Sequence, residues 1–486
     1  MPAVPAVFLR SPNTPADGAA ARLRAAVREA ARTWDGRTVL RVSVPADTCD
    51  AFAWLAAQTL GPRAAWGDRD ETPPRAGGSD TRAAVGSAVT VDSRTLADTE
   101  AVDVIAAILP AGARLYGTAR FDPEARASDE WAPFGRVRFT LPRAEIVVGR
   151  AGAVLAANVA PGERVERALA DLALLRPAST EGPRALPEAV RRTDRPGKTG
   201  WTSAVRWSLG AFAARTLDKV VLARRADVAF DAPVDPVDLL RRLAPAAPRC
   251  FYVFAEPAGQ PTGSASAFVA ATPERLFCIE TLASGERRLA TEAVAGTRPR
   301  AADDAADDAL LGELMDSDKD RREHAFVREA IAARLAPLAT SVEVDAQAGA
   351  MTLARGRHIR TGIAATLAPA TTAMDILRAL HPTPAVGGTP REASRDAIRR
   401  LEPFDRGLYA GAVGWIGRDE RGEEASEFAV GIRSALVRGR AVSFYSGAGI
   451  VAGSDADAEW AEIESKLADF ARVLGTTPRE PRAVTA

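Results

Sequence analysis

The feature that most constrains the fold is a run of strand-like segments near the C-terminal end, separated by turns too short to hold a crossover. GLYAGAVGWIG, EFAVGIRSALVRG and RAVSFYSGAGIVAG follow one another, the last two joined at Arg438-Gly439. Parallel neighbours need a long connection, whereas antiparallel neighbours need only a hairpin, so these strands belong to antiparallel sheet. Upstream, KVVLARR, FYVFAE, SAFVAATPERLFCIE and RRLATEAVAGT also read as strands, with a helix over 201–217 leading in. Over 303–338 apolar residues recur at helical spacing, and a last helix is expected over 455–474. The class is therefore α+β rather than a doubly wound parallel sheet. Neither GxGxxG after a first strand nor GxxxxGK[ST] occurs, which argues against a nucleotide site.

At 486 residues the chain exceeds the roughly 100 to 200 of a usual domain, so two domains or one composite body are expected. Residues 176–200 carry four prolines and three glycines amid mixed charge and read as a linker. It separates an N-terminal half, 1–190, from a half at 200–476 that holds all the polar constellations. Upstream of it, RTVLRVSVP, ARLYGTARF, GRVRFTLPRAEIVVGR and AVLAANVA are strand-like and alternate with Ala-rich helical segments. The 63 cations balance 63 anions, which argues against a nucleic-acid or anionic-membrane partner and points to a small ligand. Cys49, Cys250 and Cys278 form no CxxC pair and read as inert buried thiols of a reducing, cytoplasmic compartment. No apolar run is long enough to span a membrane.

Within a cation set dominated by arginine, only four lysines occur, at 198, 219, 319 and 466. Lys219 directly precedes Val220-Val221-Leu222, and a task that arginine cannot perform is to give up a proton. Glu323 shares the face of an apolar stripe made by Val327, Ala330, Ile331 and Leu335, so it needs an arginine or a metal as partner. In the last helix Glu459, Glu462 and Lys466 line up beside a seam of Trp460, Ile463, Leu467 and Phe470. Two carboxylates on one face suit Mg²⁺, although Glu462 and Lys466 also make an ordinary helix pair. AGTRP at 295–299 and SGAGIV at 446–451 read as loops built for an anion, and Arg433, inside an apolar strand, could clamp a carboxylate. The three histidines fall at 324, 358 and 381.

In order and spacing, KVVLAR, ATPERL, AGTRPR, SDKDRREH, LHPTPAVGGTP, EPFDRGLYAGAVGW and EWAEIESKL resemble the chorismate-utilising enzymes. The likeness covers about 200–475, with looser support from YGTARFDP and from Trp131 to Phe134. LHPTPAVGG looks like the isochorismate synthase branch. The resemblance implies two orthogonally packed antiparallel sheets flanked by helices, with both halves in one body. It also implies that Lys219 is the base activating water for attack at C2 of chorismate and Glu274 the acid that protonates the departing C4 hydroxyl, with His358 nearby. Glu323, Glu459 and Glu462 match the Mg²⁺ region. Tyr409, Arg433, Gly447 and Lys466 match positions around the substrate carboxylates, and Gly296-Thr297 the backbone wall.

Two positions separate the branches. Ala295 stands where aminodeoxychorismate synthases carry a nucleophilic lysine, so water is the expected nucleophile. Ala385 stands where salicylate and anthranilate synthases, which eliminate pyruvate, carry threonine. The resemblance therefore implies a reaction that stops at isochorismate, in a monomer without a glutaminase partner. Its alternative is a salicylate synthase that adds the elimination step.

Overall fold

The computed structural model describes residues 7–8, 18–69, 80–259, 266–301, 303–353 and 356–473. Its strands form two sheets, one of thirteen and one of ten. Among the described residues all strand pairings are antiparallel save one short parallel contact between Val7–Phe8 and Leu40–Pro45. The strand runs read from sequence fold as strands because β-branched and aromatic residues favour a pleated, half-buried surface. The hairpin at Arg438-Gly439 pairs Ser434–Arg438 with Ala441–Ile450, and Gly439 takes φ +58° in the turn.

Both halves of the chain contribute to both sheets. In the larger sheet Arg63–Gly67 pairs with Phe251–Ala255; in the smaller, Arg114–Ala119 pairs with Ala412–Arg418. The halves thus share ladder hydrogen bonds across what the sequence suggests as a boundary. Within 176–200, residues Ala189–Arg195 form a strand at the edge of the larger sheet, against Lys219–Phe230. Its charged RRTDR composition hides it from a hydrophobicity reading, and charge on an edge strand also deters pairing with another chain.

Two continuous-looking strands each divide between the sheets. SAFVAATPERLFCIE becomes Ser266–Thr272 in the larger sheet and Arg275–Thr281 in the smaller; EFAVGIRSALVRG becomes Glu424–Val430 in the smaller and Ser434–Arg438 in the larger. The chain changes sheets at Pro273-Glu274 and at 431–433. These crossings are tied together: the Val430 amide donates to the Glu274 carbonyl (3.0 Å), the Ala271 amide to the Arg433 carbonyl (3.1 Å) and the Thr272 hydroxyl to the Val430 carbonyl (2.7 Å).

The helical stretch at 303–338 is two helices, Asp304–Asp316 and Asp318–Leu335, broken at Ser317. The Ser317 hydroxyl accepts from the Asp320 amide and so starts the second helix. Val327, Ile331 and Leu335 bury its inner face, as Ile463 and Leu467 do for the last helix, Ala456–Val473. The Phe470 side chain lies outside the described residues. Cys250 and Cys278 are buried, but Cys49 is exposed. Among the described residues no helix is long and apolar enough to cross a membrane.

Candidate active site

A cavity opens where the two sheets approach each other. Its walls come from Lys219–Phe230 and Ala441–Ile450 of the larger sheet, from Arg287–Pro299 and Gly356–Leu367 of the smaller, and from helices Asp318–Leu335 and Ala456–Val473. Both sheet crossings open onto it, through Glu274 and Arg433. Of the catalytic, substrate and metal residues that the resemblance implies, Glu274, Gly296, Thr297, Glu323, His358, Ala385, Tyr409, Arg433, Gly447, Glu459, Glu462 and Lys466 line this cavity, and Lys219 does not; His324 and His381 also lie outside its lining.

Lys219 is the first residue of its strand, and its side chain is fully buried. Its Nζ lies 3.0 Å from Glu323 Oε1, a charge contact too poorly directed to be a hydrogen bond. The partner that Glu323 needed is therefore Lys219, neither an arginine nor of necessity a metal. Gly449 makes room for both groups. A Cβ there would stand 2.0 Å from Glu323 Oε1 and 3.3 Å from Lys219 Cε. The strand itself is pinned from below: Arg406 donates to the carbonyls of Val221 (2.7 Å) and Val386 (2.8 Å), while Glu402 accepts from the Ala223 amide (2.7 Å). That network joins the EPFDRG and PTPAV segments to KVVLA.

Glu274 is held at its crossing by backbone contacts and is almost completely buried. Burial, reinforced by the charge of Glu292 and opposed by Lys219 and Lys466, pushes its carboxyl up to about 8, so it is largely protonated at neutral pH. His358 behaves oppositely: burial, with Arg433 and Lys466 adding to it, brings it down to about 3, and the ring is neutral. Its Nδ1 donates to the Gly296 carbonyl (3.1 Å), which leaves Nε2, without a partner among the described residues, as an acceptor in the cavity wall. Tyr409 stacks on Tyr445 with ring centroids 5.3 Å apart.

Three of the four lysines face the three candidate metal carboxylates. Lys219 meets Glu323, Lys319 meets Glu459 at 2.5 Å, and Lys466 meets Glu462 at 2.6 Å while donating to the Gly447 carbonyl at 3.1 Å. Sequence reasoning assigned Lys319 no role; its position in SDKDRREH, one turn before Glu323, was the available signal. Burial raises Glu459; burial also works to raise Glu462, but Lys466, Lys319 and His358 together bring it down. Among the described residues no three acidic, His or Cys side chains converge closely enough to cage a metal by themselves. The donor set nevertheless fits Mg²⁺. That ion takes oxygen ligands, often only one or two carboxylates, and completes its shell from water and substrate.

The two stretches read as anion-binding loops are parts of strands. AGTRP lies in Arg287–Pro299, where a bulge between Ala295 and Arg298 places Gly296 at φ +72°. SGAGIV lies largely in Ala441–Ile450. Its glycines serve close approach: a Cβ at Gly447 would meet the Tyr409 hydroxyl at 2.9 Å and the Leu222 carbonyl at 3.0 Å. Arg433 is not inside a strand but in the 431–433 crossing, at φ +48°, which costs a residue other than glycine about 1–3 kcal/mol and marks a position held for a purpose.

The chorismate binding enzyme family matches residues 25–475. The chain belongs to that family. This chorismate binding enzyme is 36% identical over 374 residues to isochorismate synthase 2, chloroplastic, of Arabidopsis thaliana, covering 74% of this chain and 64% of the plant protein. It is 35% identical over 375 residues to the salicylate biosynthesis isochorismate synthase of Pseudomonas aeruginosa, covering 75% of each. Among solved structures, that of MenF, the menaquinone-specific isochorismate synthase of Escherichia coli, superposes with a TM-score of 0.77 at 29% identity. That superposition covers 93% of this chain and 99% of the other. The chorismate binding enzyme thus spans less than two thirds of the plant relative's length and nearly all of the MenF chain.

Proposed function

We propose that this chain is an isochorismate synthase, a Mg²⁺-dependent isomerase that interconverts chorismate and isochorismate. The observation that carries the reading is the meeting, around one cavity, of a fully buried lysine and a carboxyl that burial keeps protonated at neutral pH. The names of the similar proteins support the same reaction.

In its unprotonated amine form Lys219 takes a proton from water, and the water oxygen bonds to C2 of the ring. The ring double bonds shift, the C4–O bond breaks, and Glu274 gives its proton to the departing hydroxyl. One water enters and one leaves, so no oxidant or reductant is needed. Lys219 ends the cycle with one proton more and Glu274 with one fewer, and their exchange resets the site. The absent side chain at Gly449 leaves the amine a way into the cavity. Arg433, Tyr409 and Lys466, with the backbone at Gly296-Thr297 and Gly447, hold the two substrate carboxylates, while neutral His358 accepts a hydrogen bond through Nε2. Glu323 and Glu462, with Glu459 beside them, would hold Mg²⁺, which when bound anchors the ring carboxylate and supplies Lewis acidity. Ala385 leaves no hydroxyl to assist pyruvate loss. The protein acts on this small molecule in the cytosol as a monomer, without a glutaminase.

Protein treated with EDTA should lose turnover of chorismate and recover it on addition of Mg²⁺, followed by chromatography of the products. Undiminished turnover after chelation would remove the metal from this account. Gly449→Ala should lower kcat by about a hundredfold, since displacing Glu323 and Lys219 by an ångström misplaces the base. Its melting temperature should change little, and a variant with wild-type kcat would show that the close approach has no bearing on the chemistry.

A further inference from the structure

Behind Glu274, outside the cavity lining, stands a second buried carboxylate. Glu292, on the strand Arg287–Pro299, is 3% exposed. Arg69 holds it from Nη1 at 2.6 Å and Nη2 at 3.2 Å, Arg360 from Nε at 2.7 Å, and the Arg275 amide at 3.2 Å. The Arg275 guanidinium pairs with Glu427 at 2.9 Å. Arg69 Nη1 also donates to the carbonyl of Pro273, the residue before Glu274. One guanidinium from the N-terminal half, lying 5.2 Å from the Phe251 ring centroid, therefore grips both the buried anion and the backbone that carries the acid.

We propose that Arg69 and Glu292 are positioning residues for Glu274: Glu292 is a fixed anion behind the carboxyl, and Arg69 sets the spacing between the two. The proposal rests on the reading of Glu274 as the general acid. The arginines, Arg69 foremost, outweigh burial and bring Glu292 down to about 2, so it stays charged throughout the working range. After burial itself, Glu292 is the largest influence raising Glu274; Lys219 and Lys466 oppose it, Tyr409 interacts with it, and Glu323, His358, Arg433, Glu459 and Glu462 line the same cavity. Two carboxyls are thus driven apart, one to permanent charge and one to a proton held at neutral pH, which is the arrangement an acid catalyst requires.

The test compares pH profiles of kcat/KM for wild type, Glu292→Gln, Glu292→Asp and Arg69→Met, each checked by thermal melting. Glu274 must be protonated to act, so activity falls as pH rises through its pKa, near 8. Glu292→Gln removes the anion and leaves the arginine charges uncompensated. Both changes favour ionised Glu274, so the basic limb should move down by about one pH unit or more with KM little changed. Glu292→Asp should keep the limb near its wild-type place. Arg69→Met leaves Glu292 its contacts with Arg360 and the Arg275 amide but frees Pro273. It should lower kcat by about tenfold or more through misplacement, without the acidic shift. A limb unmoved in Glu292→Gln, or wild-type kcat in Arg69→Met, would overturn the proposal. The ¹³C carboxyl signal of Glu274, identified by its loss in Glu274→Gln, reads the same titration in protein without substrate. Its shift, or failure to shift, is therefore separable from the question of whether chorismate is the substrate.

Discussion

Lys219→Ala should abolish conversion of chorismate, lowering kcat by at least about a hundredfold and up to ten-thousandfold, the range expected when a general base is lost. Lys219→Arg is the sharper variant. It preserves a positive charge beside Glu323, 3.0 Å away in the wild type, but guanidinium does not release its proton at neutral pH. If the role were only to neutralise Glu323, arginine should restore activity. If it is to accept a proton from water, both variants should be inactive. Chromatographic assay of chorismate consumption, with melting curves to exclude unfolding, separates the two. Wild-type turnover in Lys219→Ala would end the assignment of the base.

Glu274→Gln should cost about a hundredfold or more in kcat, because the leaving hydroxyl then departs without a proton donor. The same variant should change stability in a signed way. Folding raises this carboxyl from its ordinary 4.5 to about 8, so its contribution is intact below about pH 4.5 and is lost progressively as pH rises toward 8. The loss at alkaline pH is on the order of a few kcal/mol. Glutamine cannot ionise, so the variant should melt at least as high as wild type at pH 8.5 and show a flatter pH dependence of stability. A variant as active as wild type, or one whose stability tracks pH as wild type does, would show that Glu274 is not the buried acid.

The residues that meet around the cavity are legible in the sequence because each sits in a short motif with its neighbours. What joins them is less legible. The glycines at 296, 447 and 449 suggest loops when read along the chain, yet they lie in strands, where a side chain would collide with Asp320, Tyr409 or Glu323. Strand patterning likewise did not show that ATPERL and AVGIRS carry the chain from one sheet to the other, since strand-like apolar residues resume within a few positions of both crossings. The partners of Glu323, Glu459 and Glu292 are hidden for a different reason. Lys219, Lys319 and Arg69 lie 104, 140 and 223 positions away along the chain, and a contact at such separation leaves no local period. Arg69 illustrates the point most clearly, since it comes from a half in which the sequence showed strands and helices but no polar constellation.

The central claim is that water adds at C2 and the reaction stops there. Purified protein incubated with chorismate and Mg²⁺, with and without ammonium, and resolved by chromatography and mass tests it most directly. The account predicts a mixture of chorismate and isochorismate that depends on the metal and is indifferent to ammonium. Salicylate with pyruvate would show that Ala385 does not end the reaction at isochorismate, and an aminated product would contradict the role given to Lys219.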